Sequence, residues 1–303
     1  MAQEYVKVLK ALDEKFLLIG RSKKSVDSLK SEFDIEAISG GLDEFLKECP
    51  PIPDFAIVCT PIDTLSSITL ELLSFGIKNI LIEKPGSLSL KDLTAIKEKS
   101  QLKKAQVSIG YNRRFYQATL ALEEKLKNED LIAANFEITE WSHVIDDFSY
   151  DDSVKQRWIL SNTSHVIDMV MHITGQFREL VSFTSGNLPW HGSASRFVGS
   201  GICENDVLIS YCGYWDGPGR WSVEFVTTKS RYIFRPMEKL QVQKIGSVNV
   251  EFDKTVDYSI DDQFKPGLYL QTLAFLNRHN GKLCSIDEQI EAFPIYQKIG
   301  NYI

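Results

Sequence analysis

The 303-residue sequence has few cysteines, and none of them is spaced for a metal site. The five are Cys49, Cys59, Cys203, Cys212 and Cys284. An odd number of scattered cysteines with no CxxC pair argues against a disulfide framework and against a structural zinc site. This usage is typical of a reducing compartment, and we therefore expect a cytoplasmic protein.

The sequence also lacks long apolar runs and an excess of positive charge. No run reaches transmembrane length, and the opening MAQEYVKVLK has no signal-peptide pattern. The net charge of −7 argues against a nucleic-acid or anionic-membrane partner, because both need clustered Lys and Arg. A hydrophobic fraction of 43% with 25% charged residues is typical of a globular protein. We expect a soluble enzyme or small-molecule binder.

The first part of the chain alternates between strand-like and helix-like patterns. The segments KFLLIG, DFAIVCTP, KNILIEKP and AQVSIGYN are short apolar strands, and helical patterns lie between them. We expect Ser89 to cap one of these helices and Gly76 to end another. The alternation predicts a Rossmann-like α/β domain with a doubly wound parallel sheet over residues 1–110.

After this region the pattern changes to longer strands with alternating apolar residues. Examples are IAANFEITEW, FRELVSFTSG, DVLISYCGYW, RWSVEFVTT, SRYIFRP and LQVQKIG. We expect a loop over residues 142–158 and one apolar helix, NTSHVIDMVMHITG, after it. The pattern predicts a second domain over residues 111–303, of the α+β class, with an open, mainly antiparallel sheet covered on one face.

Two ionisable residues and a proline directly follow the apolar run of one predicted strand. They are Glu83, Lys84 and Pro85 in the stretch ILIEKPG. Open α/β sheets bind ligands at the carboxyl ends of their strands, and proline restricts the backbone after the lysine. The stretch therefore indicates a functional lysine, although the tripeptide alone leaves a simple surface turn open.

A polar stripe runs along the predicted apolar helix. Ser161, His165, Asp168 and His172 lie at positions i, i+4, i+7 and i+11. Seven helical residues correspond to a rise of about 10.5 Å, so the two histidines are too far apart for one metal ion. We therefore expect no metal and regard His172 as structural. A histidine that titrates near neutral pH suits a proton acceptor.

Four motifs together carry a family resemblance: IVCTP at 57–61, LIEKP at 81–85, GYNRRF at 110–115 and SHVIDMV at 164–170. In their order and spacing the chain resembles the glucose–fructose oxidoreductase, inositol dehydrogenase and MocA-type family. The resemblance implies hydride transfer between a nicotinamide cofactor and a hydroxyl group of a sugar, nucleotide sugar or cyclitol. It also implies a homo-oligomer formed through the C-terminal sheet.

The resemblance assigns roles to individual residues. Lys84 and His165 match the catalytic positions, where they assist proton transfer at the reacting hydroxyl. The implied substrate-binding residues are Asp168, Tyr111, Asn112, Arg114 and Ser161. The expected cofactor-binding residues are Ala2, Arg21, Ser22, Thr60, Pro61, Glu83 and Lys84.

The sequence departs from the family pattern at two places. Ser161 stands where many catalytic members carry an aspartate, and a serine cannot hold the negative charge that raises a histidine's basicity. The first strand and its Gly-rich turn are missing, and Met1 and Ala2 fall where the last positions of GxGxxG/A would lie. Either Met1 is an internal methionine, which we favour, or the gene is truncated. The alternative function is a cofactor-deficient paralogue that binds a sugar or a partner without redox turnover.

The residues after the first apolar strand indicate the type of cofactor. NAD-specific members carry an acidic residue there, whereas this chain has Arg21 and Ser22 followed by two lysines. These donors suit a 2′-phosphate. The sequence therefore favours NADP, with NAD possible, although a solvated basic turn remains an alternative.

Overall fold

The structure, a computed structural model, describes residues 1–279 and 281–302. It divides into two compact units. Unit 1 consists of Met1–Gly110 and Leu268–Ile286, and unit 2 consists of Tyr111–Gly267 and Asp287–Ile303. The sequence pattern predicts that Leu268–Ile286 belongs to the second domain, whereas in the structure this segment belongs to unit 1.

The first part of unit 1 alternates between helices and strands. Its elements are α1 (Ala2–Ala11), β1 (Leu18–Gly20), α2 (Lys23–Phe33), β2 (Ala37–Ser39), α3 (Leu42–Lys47), β3 (Phe55–Val58), α4 (Ile62–Phe75), β4 (Asn79–Glu83), α5 (Leu90–Lys103) and β5 (Gln106–Gly110). The hydroxyl oxygen of Ser89 caps α5 by accepting a hydrogen bond from the backbone N–H of Asp92, and Gly76 ends α4 at φ +116°. Both predicted helix ends are confirmed, since serine satisfies an open N–H group and glycine tolerates positive φ.

Unit 2 carries the longer strands. Its elements up to residue 267 are a 3₁₀ turn (Asn112–Phe115), α6 (Gln117–Leu126), β6 (Leu131–Glu137), α7 (Ser142–Asp146), α8 (Asp152–Lys155), a π-helical turn (Ile159–Thr163), α9 (Ser164–Thr174), β7 (Phe177–Ser185), β8 (Arg196–Cys203), β9 (Leu208–Tyr214), β10 (Ser222–Thr227), β11 (Ser230–Phe234), β12 (Leu240–Lys244), β13 (Glu251–Phe252) and α10 (Ser259–Gln263). The predicted loop over residues 142–158 contains two short helices, α7 and α8. The predicted helix over residues 162–175 is divided between the π-helical turn and α9.

The last part of the chain contains α11 (Leu268–Leu276), β14 (Cys284–Ser285) and α12 (Ile286–Gly300). Within unit 1, α11 packs against α1, and the rings of Phe275 and Phe55 meet edge to face at 5.4 Å. β14 pairs antiparallel with β5. Buried apolar contact and backbone hydrogen bonds therefore explain why this late segment belongs to unit 1.

The parallel strands of unit 1 lie in two sheets. β1 pairs with β2, and β3, β4 and β5 form a second sheet that β14 extends. No strand within residues 1–279 and 281–302 joins β1 to β3. Helix α2 packs on the first sheet, and α4 and α5 pack on the second. Parallel strands covered by helices confirm the predicted Rossmann-like α/β character of this unit.

The sheet of unit 2 has the order β13-β12-β11-β10-β6-β9-β8-β7 in the described residues. All its pairs are antiparallel except β6 with β9. One face packs against α9, and on it the rings of Phe136 and Tyr211 stack at 5.3 Å. Exposed apolar residues on the other face are Val181, Phe183, Val198, Leu208 and Tyr214. The predicted mainly antiparallel sheet, covered on one face, is confirmed.

Candidate active site

The last residue of β4, Glu83, is a buried carboxylate with a defined partner. The hydroxyl group of Tyr5 donates a hydrogen bond of 2.8 Å to Glu83 Oε1. The same hydroxyl oxygen accepts a hydrogen bond of 3.2 Å from Gln271 Nε2. Burial, and then the charge of Glu83, raise the pKa of Tyr5 well above its ordinary value. Glu83 is therefore held inside unit 1 by Tyr5 of α1, and Gln271 of α11 in turn holds the Tyr5 hydroxyl.

Lys84 follows at the carboxyl end of β4 and is half-buried. The Lys84–Pro85 peptide bond is cis, and the backbone N–H of Gly86 donates to the carbonyl of Glu83 at 3.0 Å. Gly86 has φ +78°, and a Cβ there would lie 2.9 Å from Ile109 Cδ1, so this turn requires glycine. The structure thus places Lys84 on a well-defined turn at the sheet edge where open α/β folds bind ligands.

Three segments of unit 1 converge beside Glu83. Tyr5 lies one turn from Ala2, so its hydrogen bond brings the start of α1 to the end of β4. Cys59 lies just after β3, and burial together with the charge of Glu83 raises the pKa of its thiol to about 11. Thr60 and Pro61 come next in the chain, and Pro61 is the N-cap of α4. The structure therefore brings the predicted residues at Ala2, Thr60, Pro61 and Glu83 to the same end of unit 1.

The other predicted cofactor residues follow β1. Arg21 is exposed, and the Ser22 hydroxyl oxygen caps α2 by accepting from the backbone N–H of Ser25 at 3.4 Å. A Cβ on Gly20 would lie 2.6 Å from Val26, so α2 approaches the strand end closely. The guanidinium of Arg21 and the hydroxyl of Ser22 are donors of the kind that bind phosphate and ribose groups, and so are the backbone N–H groups at the start of α1.

In unit 2, the structure brings His165 and Tyr111 together. Their rings meet edge to face, with centroids 5.7 Å apart, and both side chains are buried. The Tyr111 hydroxyl donates to Gln289 Oε1 at 3.1 Å, and this contact fixes the ring beside the imidazole. Asn112 directly follows Tyr111, and its Nδ2 donates a hydrogen bond to the carbonyl of Pro266 at 2.8 Å. Its side chain thus holds the segment before α11.

Arg114 and Asp168 form a buried ion pair within unit 2. Arg114 Nη2 donates to Asp168 Oδ1 at 2.7 Å, and its Nε donates to Oδ2 at 3.0 Å. A third nitrogen, Nη1, donates to Glu288 Oε1 at 2.9 Å. The exposed fractions of the two paired side chains are only 5% and 1%. Both oxygens of Asp168 contact the guanidinium, so orientation of Arg114 is the clearest role of this carboxylate.

Ser161 does not continue the polar stripe along α9. It lies in the π-helical turn before that helix, and its hydroxyl donates to the carbonyl of Val154 at 3.1 Å. The extra residue of a π turn changes the angle between positions 161 and 165 from that of a regular α-helix. His172, at the other end of the stripe, contacts Glu123 Oε1 through Nε2 at 2.9 Å. The continuous stripe predicted by regular spacing is therefore wrong at Ser161.

Two polar residues around Glu83 were missed by the sequence analysis. Tyr5 lies on the apolar face of α1 beside Val6 and Val8, where the helical pattern gives it no polar role, whereas its hydroxyl is the donor to Glu83. Gln271 is fully buried in the apolar stretch LYLQTLAFL. A lone amide in so apolar a helix is the signal that could have identified it, because buried polar groups require hydrogen-bond partners.

Residues 2–111 match the family model GFO_IDH_MocA, described as "Oxidoreductase family, NAD-binding Rossmann fold". The match covers the Rossmann-like part of unit 1. The match includes the turn that carries Lys84 and all the converging segments described above. No protein with a curated description matches the sequence. No helix in the described residues is long and apolar enough to cross a membrane.

Solved structures with the same fold extend over nearly the whole chain. A dehydrogenase (MviM) from Clostridium difficile has a TM-score of 0.79 at 16% identity, covering 100% of this chain and 95% of that one. UDP-N-acetylglucosamine 3-dehydrogenase GnnA from Acidithiobacillus ferrooxidans has a TM-score of 0.77 at 13% identity, covering 100% and 94%. Levoglucosan dehydrogenase in complex with NADH and L-sorbose has a TM-score of 0.76 at 14% identity, covering 99% and 93%. At these identities the likeness shows the fold. The comparisons do not support the cofactor-deficient alternative.

Proposed function

We propose that this protein is an NAD(P)-dependent oxidoreductase acting on a hydroxyl group of a sugar, nucleotide sugar or cyclitol. One observation carries the proposal: the domain that matches an NAD-binding oxidoreductase family holds Lys84 on a well-defined turn at the carboxyl end of β4. The substrate class is supported by the sugar dehydrogenases among the structures with the same fold.

The proposed chemistry divides the two hydrogens of a secondary alcohol between two acceptors. A bound nicotinamide supplies the hydride acceptor. The hydroxyl proton needs a base, and in this proposal the His165 imidazole accepts it. Lys84 stabilises negative charge as it develops on the substrate oxygen and relays the proton. In the reverse direction the same two side chains return the proton to the carbonyl oxygen.

The remaining predicted residues have supporting roles in this proposal. Tyr111 packs against the His165 ring and orients it, while Asn112, Arg114, Asp168 and Ser161 shape the substrate-binding part of unit 2. Of these, Arg114 and Asp168 act as a pair, because each is the main partner of the other.

We further propose that the cofactor is NADP. Arg21 is exposed directly after β1, and Ser22 follows it at the start of α2, with no carboxylate at either position. A guanidinium and a hydroxyl suit a 2′-phosphate, whereas selection of NAD uses an acidic residue for the ribose hydroxyls. NAD remains the second cofactor to test, because the matched family is NAD-binding.

We also propose a homo-oligomer in the cytoplasm. The open face of the unit 2 sheet exposes a group of apolar side chains, among them Phe183 at 66% and Leu208 at 60%. Such a patch is typical of a surface that another protein copy covers. The proposal of a cytoplasmic location is supported by the five cysteines, because all of them are free thiols, as is typical of a reducing compartment.

A direct assay follows the absorbance of the reduced nicotinamide while the protein is mixed with sugars, UDP-sugars and cyclitols. Each compound is tested as an alcohol with NADP or NAD, and its keto form is tested with NADPH or NADH. We expect oxidation or reduction of at least one compound, faster with the phosphorylated cofactor. The proposal fails if neither cofactor binds and no compound changes the absorbance.

A further inference from the structure

Unit 2 contains a cavity apart from the side chains described so far. It has a volume of about 500 Å³ and lies between the segment after β6 and the turn that joins β9 to β10. Its lining includes Glu140, Trp141, Ser142, His143, Trp215 and Asp216. Ligand pockets for small molecules commonly have volumes of about 300–1,000 Å³, so this cavity is large enough for one sugar ring.

The indole of Trp141 is held in a fixed orientation at this cavity. Its Nε1 donates to the carbonyl of Gly219 at 3.0 Å. The guanidinium of Arg220 lies 4.8 Å from the Trp141 ring centroid and 4.7 Å from that of Trp221. Even so, 49% of Trp141 remains exposed. Cation–π packing and the N–H contact therefore immobilise the ring while part of its surface stays open to a ligand.

The guanidinium that supports this ring is itself anchored by a buried carboxylate. Arg220 Nη1 donates to Glu140 Oε2 at 3.0 Å. Glu140 is only 2% exposed, and its Oε1 accepts from Thr163 at 2.7 Å and from Asn162 at 3.1 Å. Burial raises the pKa of Glu140. These contacts connect the Trp141 support to the π-helical turn, two residues before His165.

The rest of the cavity combines an aromatic wall with hydrogen-bonding groups. Trp215 is buried, and its ring is stacked on that of Trp190 at 5.5 Å. The Asp216 carboxylate accepts hydrogen bonds from Arg196, which lower the pKa of Asp216 and keep it ionised. His143, also on the lining, adds an exposed imidazole. The lining thus offers an indole surface together with a charged acceptor.

We propose that Trp141 and this cavity bind a pyranose ring. One face of a pyranose presents C–H groups that pack on an indole, and its hydroxyl groups donate to a carboxylate such as Asp216. An anionic ligand is disfavoured, because Arg220 and Arg196 are already engaged by Glu140 and Asp216. This inference rests on the proposed function, whose sugar substrate it extends to a named binding surface.

Binding is measured without cofactor, so that it does not depend on turnover. The indole N–H signals of the five tryptophans are recorded by NMR during titration with glucose, N-acetylglucosamine and inositol, with glycerol as a polyol that lacks a ring. Trp141→Phe identifies the Trp141 signal by its disappearance. We expect at least one pyranose to shift this signal in a saturable way and glycerol to leave it unchanged. The proposal is overturned if none of the pyranoses shifts it.

Three variants test the role of the ring by calorimetry with the sugar that binds best. Trp141→Ala should weaken binding about tenfold, the change expected for loss of one aromatic contact. Trp141→Phe should retain most of the affinity, which also shows that the fold is intact. The control Phe252→Ala removes an aromatic ring that is 56% exposed on β13 and should have no effect. Equal affinity of Trp141→Ala and the wild-type protein would contradict the proposal.

The outcomes also separate this inference from the proposed function. Sugar binding at Trp141 with no hydride transfer on any sugar would overturn the dehydrogenase and leave the binding site supported. Hydride transfer on a pyranose with an unchanged KM in Trp141→Ala would overturn the binding site and leave the dehydrogenase supported.

Discussion

The hydroxyl of Tyr5 lies 2.8 Å from the Glu83 carboxylate, to which it donates a hydrogen bond inside unit 1. This contact joins α1 to the residue immediately before Lys84. Gln271 donates to the same hydroxyl oxygen, so the late helix α11 takes part in the same network. The geometry of the lysine turn therefore depends on residues from three distant parts of the sequence.

Removing the Tyr5 hydroxyl should destabilise unit 1. Tyr5→Phe leaves the ring in place but takes a donor away from the buried Glu83, and hydrogen bonds to charged groups contribute about 1.5–3 kcal/mol. We expect a loss of this size in the free energy of unfolding, measured with urea. Tyr150→Phe, at an exposed tyrosine, is the control and should have no effect. The network is unimportant if the two variants unfold at the same urea concentration.

Breaking the Arg114–Asp168 pair should cost more than breaking a surface pair. Asp168→Ala leaves a buried guanidinium with only part of its neutralising charge, and loss of one partner of a buried pair costs about 3–5 kcal/mol. Arg178→Ala breaks the pair between Arg178 and Asp206, whose side chains are 48% and 77% exposed, and should cost less than about 1 kcal/mol. Equal losses in denaturant unfolding would refute the structural role of Asp168.

The cofactor prediction concerns Arg21. Arg21→Ala should weaken NADPH binding about tenfold or more and leave NADH binding nearly unchanged, because a charge-assisted contact contributes about 1.5–3 kcal/mol. Lys30→Ala, at an exposed lysine in the last turn of α2, is the control for a general loss of positive charge. Titration of nicotinamide fluorescence measures both affinities. The same loss for NADPH and NADH would exclude a contact between Arg21 and the 2′-phosphate.

A buried histidine should make the folded state sensitive to acid. Burial lowers the pKa of His191 from 6.5 to about 4. Its Nδ1 donates to the carbonyl of Ala194 at 2.7 Å, so Nε2 accepts from the Tyr302 hydroxyl at 2.9 Å and the ring is neutral. Below pH 6.5 the unfolded chain binds a proton that the folded chain does not bind. The contribution of the neutral His191 ring to the free energy of unfolding is therefore fully present above pH 6.5, and it is lost as the pH falls towards 4.

Because of His191, we expect the free energy of unfolding to be about 2 kcal/mol lower at pH 5 than at pH 7. Urea unfolding at the two pH values measures this difference in the wild-type protein and in His191→Gln. The variant should lose less stability than the wild type on acidification. His279→Gln, at an exposed histidine, should behave like the wild type. An unchanged pH dependence in His191→Gln would show that another group causes the acid sensitivity.

Local patterns in the sequence predicted the strands and helix ends that depend on residues close together in the chain. The apolar run before Glu83 and Lys84 correctly indicated a buried strand that ends at the lysine turn. Contacts between distant residues could not be predicted in this way. Tyr5 and Glu83 are 78 positions apart, and Gln271 and Tyr5 are 266 positions apart. No periodic pattern carries information over such separations, so the partners of Glu83 emerged only from the fold.

Strand β8 was missed for a different physical reason. Its segment RFVGSGIC contains two glycines, which weaken the alternating pattern of a strand. A Cβ at Gly199 would lie 2.5 Å from the Val181 carbonyl oxygen, and one at Gly201 would lie 2.2 Å from that of Glu179. Because β7 lies so close, positions 199 and 201 of β8 require glycine. The same two glycines weaken the alternating pattern, so the sequence does not indicate a strand there. The same limit applies at Ser161, where a π turn replaces regular helical spacing.

The proposed catalytic role of Lys84 is tested most directly by single-turnover hydride transfer in Lys84→Met. The enzyme is saturated with cofactor and mixed with a substrate found by the absorbance assay. Lys91→Met, at an exposed lysine on α5, controls for loss of charge on the same unit. Because positioned acid–base groups contribute about a hundredfold to ten-thousandfold, the rate should fall at least a hundredfold in Lys84→Met, with cofactor affinity nearly unchanged. A rate close to that of the wild type would contradict the account.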